Sequence, residues 1–253
     1  GVGLLLVADV LMFGVTGLAV WGVQMLWIPV CAAGVINGLG HYMGYRNFDG
    51  PHAATNIAAI GILIGGEELH NNHHTFPTSA KLSVRWFEFD IGWCYIRLLQ
   101  ALGLARVRAS VPRPPVRNRQ LPLTEKTVAG IGACRHHIMR SFGGMAARAL
   151  REELRTACGG RLDPRARRQA ERLLRREPAC LSAAEQHALA ALVSQYEWLA
   201  HVQRMRAELR QLWEWKMAAP QDLLAFLADW CERAERSQIK VLRRFAQELH
   251  AYG

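Results

Sequence analysis

Three histidines crowd the segment Glu67-Glu68-Leu69-His70-Asn71-Asn72-His73-His74. On a helix, positions three and four apart share a face, so His70 would present its imidazole beside those of His73 and His74. Imidazole nitrogens in such a set suit Fe, Zn or Cu. They carry no charge while ligating, so a site of this kind can sit near a membrane more cheaply than a carboxylate cluster. The competing reading is a polar surface patch of histidines. Two contexts favour the metal. The box follows an apolar stretch, and a further histidine, His41, lies near the end of another, where ionisable groups are costly and usually functional. Asn37 stands one helical turn before His41, so its amide is expected to point the same way; the alternative for this pair is a hydrogen bond that helps helices pack. Glu67 precedes His70 by one turn and suits the role of accepting its other ring N–H. Glu68 reads as ordinary helix solvation. The spacing is not H-E-x-x-H, which disfavours a zinc protease. His52 stands alone, and His136-His137 beside Cys134 reads as an exposed polar pair.

The elements that must carry these residues read as all-α. From Val2 to Tyr45 the chain is apolar apart from Asp9, Thr16, Gln24, Asn37 and His41. One span needs roughly 20 residues, so this length predicts a membrane hairpin, with helices over 3–19 and 22–45 and a kink at Pro29. Residues 46–56 read as a polar turn, 57–74 as a helix ending in the box, and 81–104 as an aromatic-rich helix suited to the membrane interface. An Arg/Pro linker follows over 106–122, including Arg106, Arg108, Arg113, Arg117 and Arg119. Asp163-Pro164 marks a helix start, and Ser182 with Glu185 a capping box. Leu189, Leu192, Tyr196, Leu199, Val202, Met205, Leu209 and Leu212 form one apolar helical stripe that Pro220 ends. Short helices over 221–235 and 237–251 close the chain. Trp198, Trp213, Trp215 and Trp230 are expected in the core or at an interface.

The whole pattern resembles the stearoyl-CoA type, delta-9 membrane fatty-acid desaturases, and most of all their bacterial branch. Asn37-x-x-x-His41-x-x-Gly44-x-Arg46-x-Phe48-Asp49 resembles the segment before that family's third histidine box. Gly66-Glu67-x-x-His70-Asn71-x-His73-His74-x-Phe76-Pro77 resembles the box itself, and Arg85-Trp86 with Leu102-Gly103-Leu104-Ala105 the stretch after it. The resemblance covers roughly residues 1–105 and implies a helical membrane domain under a cytosolic histidine-box cap. It implies two iron ions and O2, with His41, His70, His73 and His74 as iron ligands, Asn37 reaching iron through water, and Glu67 behind the ligands. It also implies a cis double bond placed in an acyl-CoA or acyl-lipid chain. Electrons would come from a ferredoxin- or cytochrome-type donor and its reductase. The expected location is the bacterial inner membrane, multi-pass, with box and tail cytoplasmic. The family's two earlier histidine boxes are not in this sequence, so the chain reads as a C-terminal piece holding part of an iron site and inactive alone. The alternatives are another histidine-box hydroxylase or ketolase, and a non-enzymatic remnant or helical interaction protein.

The formal net charge is +10, although residues 1–105 hold only four basic against six acidic groups. The surplus therefore belongs to the tail, 123–253, and to the linker before it. Arg165, Arg167, Arg168, Arg172, Arg175 and Arg176 cluster there without a nucleic-acid reader motif. The tail accordingly reads as a basic helical interaction module or membrane-surface flank, and nucleic acid as an unlikely partner. Six scattered cysteines without a C-x-x-C pair point to free thiols in a reducing compartment.

Overall fold

A computed structural model describes residues 1–115, 121–157, 163–214 and 219–252. Arg117, Arg119, Cys158 and Trp215 therefore lie outside the described residues. The chain divides into two compact units, one of residues 1–47 and 52–111, the other of 48–51 and 112–253. Both are built of helices, as the all-α reading expects; among the described residues the strands amount to one parallel pair of two residues each.

The first unit opens with α1 (Val2–Phe13) and α2 (Thr16–Pro29), antiparallel neighbours joined at Gly14-Val15. The turn comes earlier than expected from the apolar run, because nothing in a uniformly apolar stretch marks where the chain reverses. Gly17 marks the close approach instead: a Cβ there would meet the Asp9 carbonyl oxygen at 2.2 Å. Trp21 Nε1 also donates across the pair to the Val2 carbonyl at 3.3 Å. Beyond Pro29, which lacks the N–H a regular helix needs, the backbone continues as a π-helical turn, Val30–Ile36, and a short 3-10 turn, Leu39–His41. Thr16–His41 is the one described segment long and apolar enough to cross a membrane; Val2–Phe13 is apolar but shorter. Leu4, Leu11 and Val15 are more than three-quarters exposed, so little of this apolar surface is buried within the chain.

Residues 57–69 are not the expected helix. Ile60–Gly61 forms β1, paired with β2 (Phe89–Asp90), and the helix of the box, α3, is confined to His70–Thr75. Gly65 and Gly66 both have positive φ, and a Cβ on Gly66 would meet Asp90 Oδ1 at 2.5 Å. The expected helix over 81–104 is likewise shortened to α4, Ile91–Ala101, because Asp90 caps it by accepting the Trp93 N–H at 2.9 Å.

The second unit contains α5 (Glu125–Ala133), α6 (Arg135–Ala157), α7 (Pro164–Arg175), α8 (Ala183–Val193), α9 (Glu197–Glu214), α10 (Pro220–Arg236) and α11 (Lys240–His250). Asp163 caps α7 ahead of its N1 proline, and Ser182 and Glu185 make the reciprocal capping box of α8. The single stripe over 189–212 is two helices. The chain turns at Ser194–Tyr196, and the apolar spacing continues across the turn. The core centres on Phe142 and Phe245, whose rings stack at 4.2 Å, with Trp230 edge-on to both. Trp230 is fully buried and donates Nε1 to the Met205 carbonyl, while Trp198 and Trp213 pack partly buried against the same core. A smaller cluster joins Leu150, Leu173, Leu174, Leu189 and Leu199.

Candidate metal centre

The box helix is held by its polar back. Asn71 and Asn72 are fully buried. The Asn71 amide accepts the Asn47 N–H at 2.8 Å and donates to the Ala54 carbonyl at 3.1 Å. With that side of α3 fixed, His70 and His74 project from the other side. The loop ahead of α3 is closed by Glu68, whose carboxylate accepts the N–H groups of Leu63 (2.6 Å), Ile64 (3.0 Å) and Gly66 (3.2 Å). Glu68 is thus a buried structural acceptor and not the solvated helix residue expected from sequence.

His41, from the end of the 3-10 turn, meets the box. Its Nε2 lies 3.0 Å from His70 Nε2, and His74 Nε2 lies 3.1 Å from the same atom. The ligand nitrogens of these three histidines all fall within 4.8 Å of one another, the one such group of potential ligands among the described residues. Two imidazoles bound side by side on one ion at roughly 2.0–2.1 Å would have nitrogens roughly 3 Å apart, so the spacing fits a shared cation. His70 Nδ1 is buried without a hydrogen bond and faces Glu67 Oε2 at 4.0 Å, the arrangement in which a carboxylate orients a ligating ring. Interaction with His70, and then with His73, holds the Glu67 carboxyl below its usual range against the opposing effect of burial. Burial and then the neighbouring His70 lower the pKa of His74, leaving its nitrogen free to bind a cation at neutral pH.

The remaining predicted residues are placed differently. His73 is partly exposed, with Nδ1 3.4 Å from Glu67 Oε1, and stands outside the converging trio. Asn37 is exposed at the end of the π-helical turn. The change from π to 3-10 geometry at Gly38 removes the regular one-turn relation to His41 on which its expected direction depended. His52, which seemed isolated in the sequence, packs its ring 5.0 Å from that of His74. Burial, then Arg46 and the other histidines, lower its pKa to about 4. The signal was the polar turn itself, which carries the chain back to the box. His136 and His137 are half-buried, not exposed, beside a buried Cys134.

Three converging imidazoles, carried by a 3-10 turn and a short helix, form a histidine cluster whose spacing could hold a cation. The chain is similar to the sn-1 stearoyl-lipid 9-desaturase of Anabaena variabilis, 41% identical over 88 residues, 34% of this chain and 32% of the relative. It is also similar to the sn-2 palmitoyl-lipid 9-desaturase of Nostoc sp. (strain 36), 46% identical over 77 residues, 30% of this chain and 27% of the relative. The acyl-CoA 5-desaturase AL21 of Anemone leveillei is 38% identical over 96 residues, 37% of this chain and 30% of the relative. These names support the fatty-acid desaturase family for about a third of the chain, and the chain spans about a third of the length of the curated relatives it matches. A family model described as Transposase, of the DDE type, matches residues 127–253. That is half of the chain, and the chain belongs to that transposase family through its second half. Nothing in the sequence beyond a basic, helical character of residues 123–253 points to that family. No solved structure matches the chain.

Proposed function

We propose that the first unit is the last-histidine-box portion of an iron-dependent fatty acyl desaturase, a bacterial enzyme of the delta-9 type that spans the cytoplasmic membrane. The observation that carries this reading is the convergence of His41, His70 and His74 on one point. Iron held there would, with O2 and electrons from an external donor, supply an oxidant for an unactivated C–H bond, which no side-chain acid or base can break. The chain's own residues would do the rest. His41, His70 and His74 offer nitrogens, and Glu67, 4.0 Å from His70 Nδ1, would close to accept a hydrogen bond from the Nδ1–H and so favour the tautomer that leaves Nε2 free. The apolar surface of α1 and α2 would meet lipid or further helices. In this reading His73, Asn37 or His52 joins the set only after a shift of side chain, and a second iron draws on ligands beyond the trio. The chain alone holds metal and forms no double bond. Acyl-CoA or acyl-lipid would be the substrate class, and a ferredoxin- or cytochrome-type donor with its reductase the electron source.

The test is metal content of the full chain in detergent, by elemental analysis and by Co(II) titration. His70→Ala is expected to abolish binding, because it removes the nitrogen central to the trio. His73→Ala should lower it less. Unchanged binding in His70→Ala would refute the site.

A second reading concerns the other unit and rests on a different observation. On α7, Arg165, Arg168, Arg172 and Arg175 are exposed at steps of three and four, so they line one helix face. Arg172 pairs with Glu185 at 2.9 Å. Arg165, Arg168 and Arg175 form no ion pair among the described residues. Such a stripe suits a phosphate backbone, and membership of a transposase family gives it a reason to be there. Nucleic acid, set aside on sequence grounds, thus becomes the proposed partner of this unit, to be tested by binding of duplex DNA to the full chain.

A further inference from the structure

Behind the histidine cluster lies a polar core that neither the metal reading nor the sequence motif uses. Its centre is Glu88, 8% exposed. Six donors gather on its two oxygens. Oε1 accepts from Tyr45 Oη at 2.8 Å, Asn47 Nδ2 at 2.5 Å and Asn56 Nδ2 at 3.4 Å. Oε2 accepts from Asn72 Nδ2 at 3.0 Å and from the N–H groups of Val84 (2.6 Å) and Arg85 (2.8 Å). The partners also bind one another: Asn72 Oδ1 accepts from Asn47 Nδ2 at 2.8 Å and Asn56 Nδ2 at 3.2 Å, and the Asn72 N–H donates to Asn56 Oδ1 at 3.2 Å.

These donors come from separate stretches of the first unit, and α3 enters the network through Asn72, which sits between His70 and His73. A six-residue helix has few hydrogen bonds of its own, so its roll about its axis is set by what grips it. Here the grip is on the side opposite His70 and His74. We propose that Glu88 is a positioning residue for the histidine cluster, its buried carboxylate fixing the roll of α3 and with it the direction of the His70 and His74 nitrogens. This rests on the metal reading of that cluster. The chemistry demands a carboxylate. An ionised carboxylate only accepts, whereas the glutamine amide has two N–H groups of its own, and in Glu88→Gln these would face donors on every side. A network with one member mismatched loses more than one bond, since each remaining donor stays buried.

The experiment is a Co(II) titration of the full chain in detergent, read by the visible ligand-field bands, for wild type, Glu88→Gln, Tyr45→Phe and Asn47→Ala. Far-UV circular dichroism and thermal melting are run alongside. Positioning predicts that folded Glu88→Gln binds Co(II) at least about tenfold more loosely than wild type, the lower end of outer-shell effects. It also predicts an altered band shape at saturating Co(II). Tyr45→Phe and Asn47→Ala should give smaller shifts in the same direction. A merely structural role would lower the melting temperature yet leave affinity and spectrum unchanged well below it. That result, in Glu88→Gln or, should that variant not fold, in both milder variants, overturns the inference. Absence of Co(II) binding in wild type would instead refute the metal reading, and this inference with it.

Discussion

Glu68 closes the loop that delivers His70 to the cluster. Its carboxylate is the acceptor for three main-chain N–H groups in a stretch with no regular structure to satisfy them. Glu68→Ala is expected to leave those donors buried or force the loop open, at a cost of about 1–3 kcal/mol. The measurement is the midpoint of thermal or denaturant unfolding of the first unit, followed by tryptophan emission. An unchanged midpoint would mean the loop is held some other way. The histidines themselves were legible from spacing, because the helical repeat alone puts His70 and His74 on one side. The two buried glutamates of the first unit were not. Glu68 folds back onto N–H groups two to five residues before it, and Glu88 gathers Tyr45, Asn47, Asn56 and Asn72 from distant stretches; neither arrangement is marked by spacing, and in the sequence each resembles a surface residue.

Among the elements, α6 and α7 are tied by Arg151 and Glu171. Arg151 Nε donates to Glu171 Oε1 at 2.7 Å, and Arg167 stands 3.9 Å from the same oxygen. The Arg151 hydrogen bond lowers the Glu171 pKa, against the opposing effect of burial. A carboxyl depressed in the folded state contributes stability that is present above its unfolded pKa, roughly 4.3, and lost as pH falls through the folded value. The second unit should therefore lose stability on acidification below about pH 4.3. In Glu171→Gln this part of the loss should disappear, with a lower melting temperature than wild type at neutral pH and a smaller difference in acid. Equal pH profiles would show that the pair contributes nothing. Trp230→Ala, by contrast, should destabilise the unit at every pH by about 3–5 kcal/mol, the cost of emptying a large core site. Local chemistry made several element boundaries legible, since Asp163-Pro164, Ser182 with Glu185, and Pro220 each act within one turn. The break at Ser194–Tyr196 was hidden because an apolar stripe can continue in phase across a short turn. The shortness of α3 was hidden because the chain before it turns back onto the Glu68 carboxylate and Asn72 is held by residues distant in sequence.

At the scale of the whole molecule, the charge is divided as sharply as the structure. Residues 1–105 carry four basic and six acidic groups, leaving 27 basic against 15 acidic groups, a net +12, to the remainder. The half with converging histidines and exposed apolar helices is near neutral. The half that belongs to a transposase family is strongly basic. A surplus of this kind has two physical outcomes. Scattered over a surface, it acts mainly as a solvated coat and is screened beyond roughly 8–10 Å at ordinary salt. Set along one helix face, it displaces condensed cations from nucleic acid, and each neutralised phosphate contributes about 0.9 to the slope of log affinity against log salt. Arg165, Arg168 and Arg175 on α7 are the residues that separate the two. Replacing all three with alanine should weaken binding of a random-sequence duplex and reduce the magnitude of that slope by roughly three. Far-UV circular dichroism and the melting temperature should stay unchanged, which shows that the variant is folded. Fluorescence anisotropy of labelled duplex across a salt series measures both affinity and slope. The same slope in the triple variant would assign the charge on α7 to a solvated coat, and binding would then have to be sought on another face of the unit.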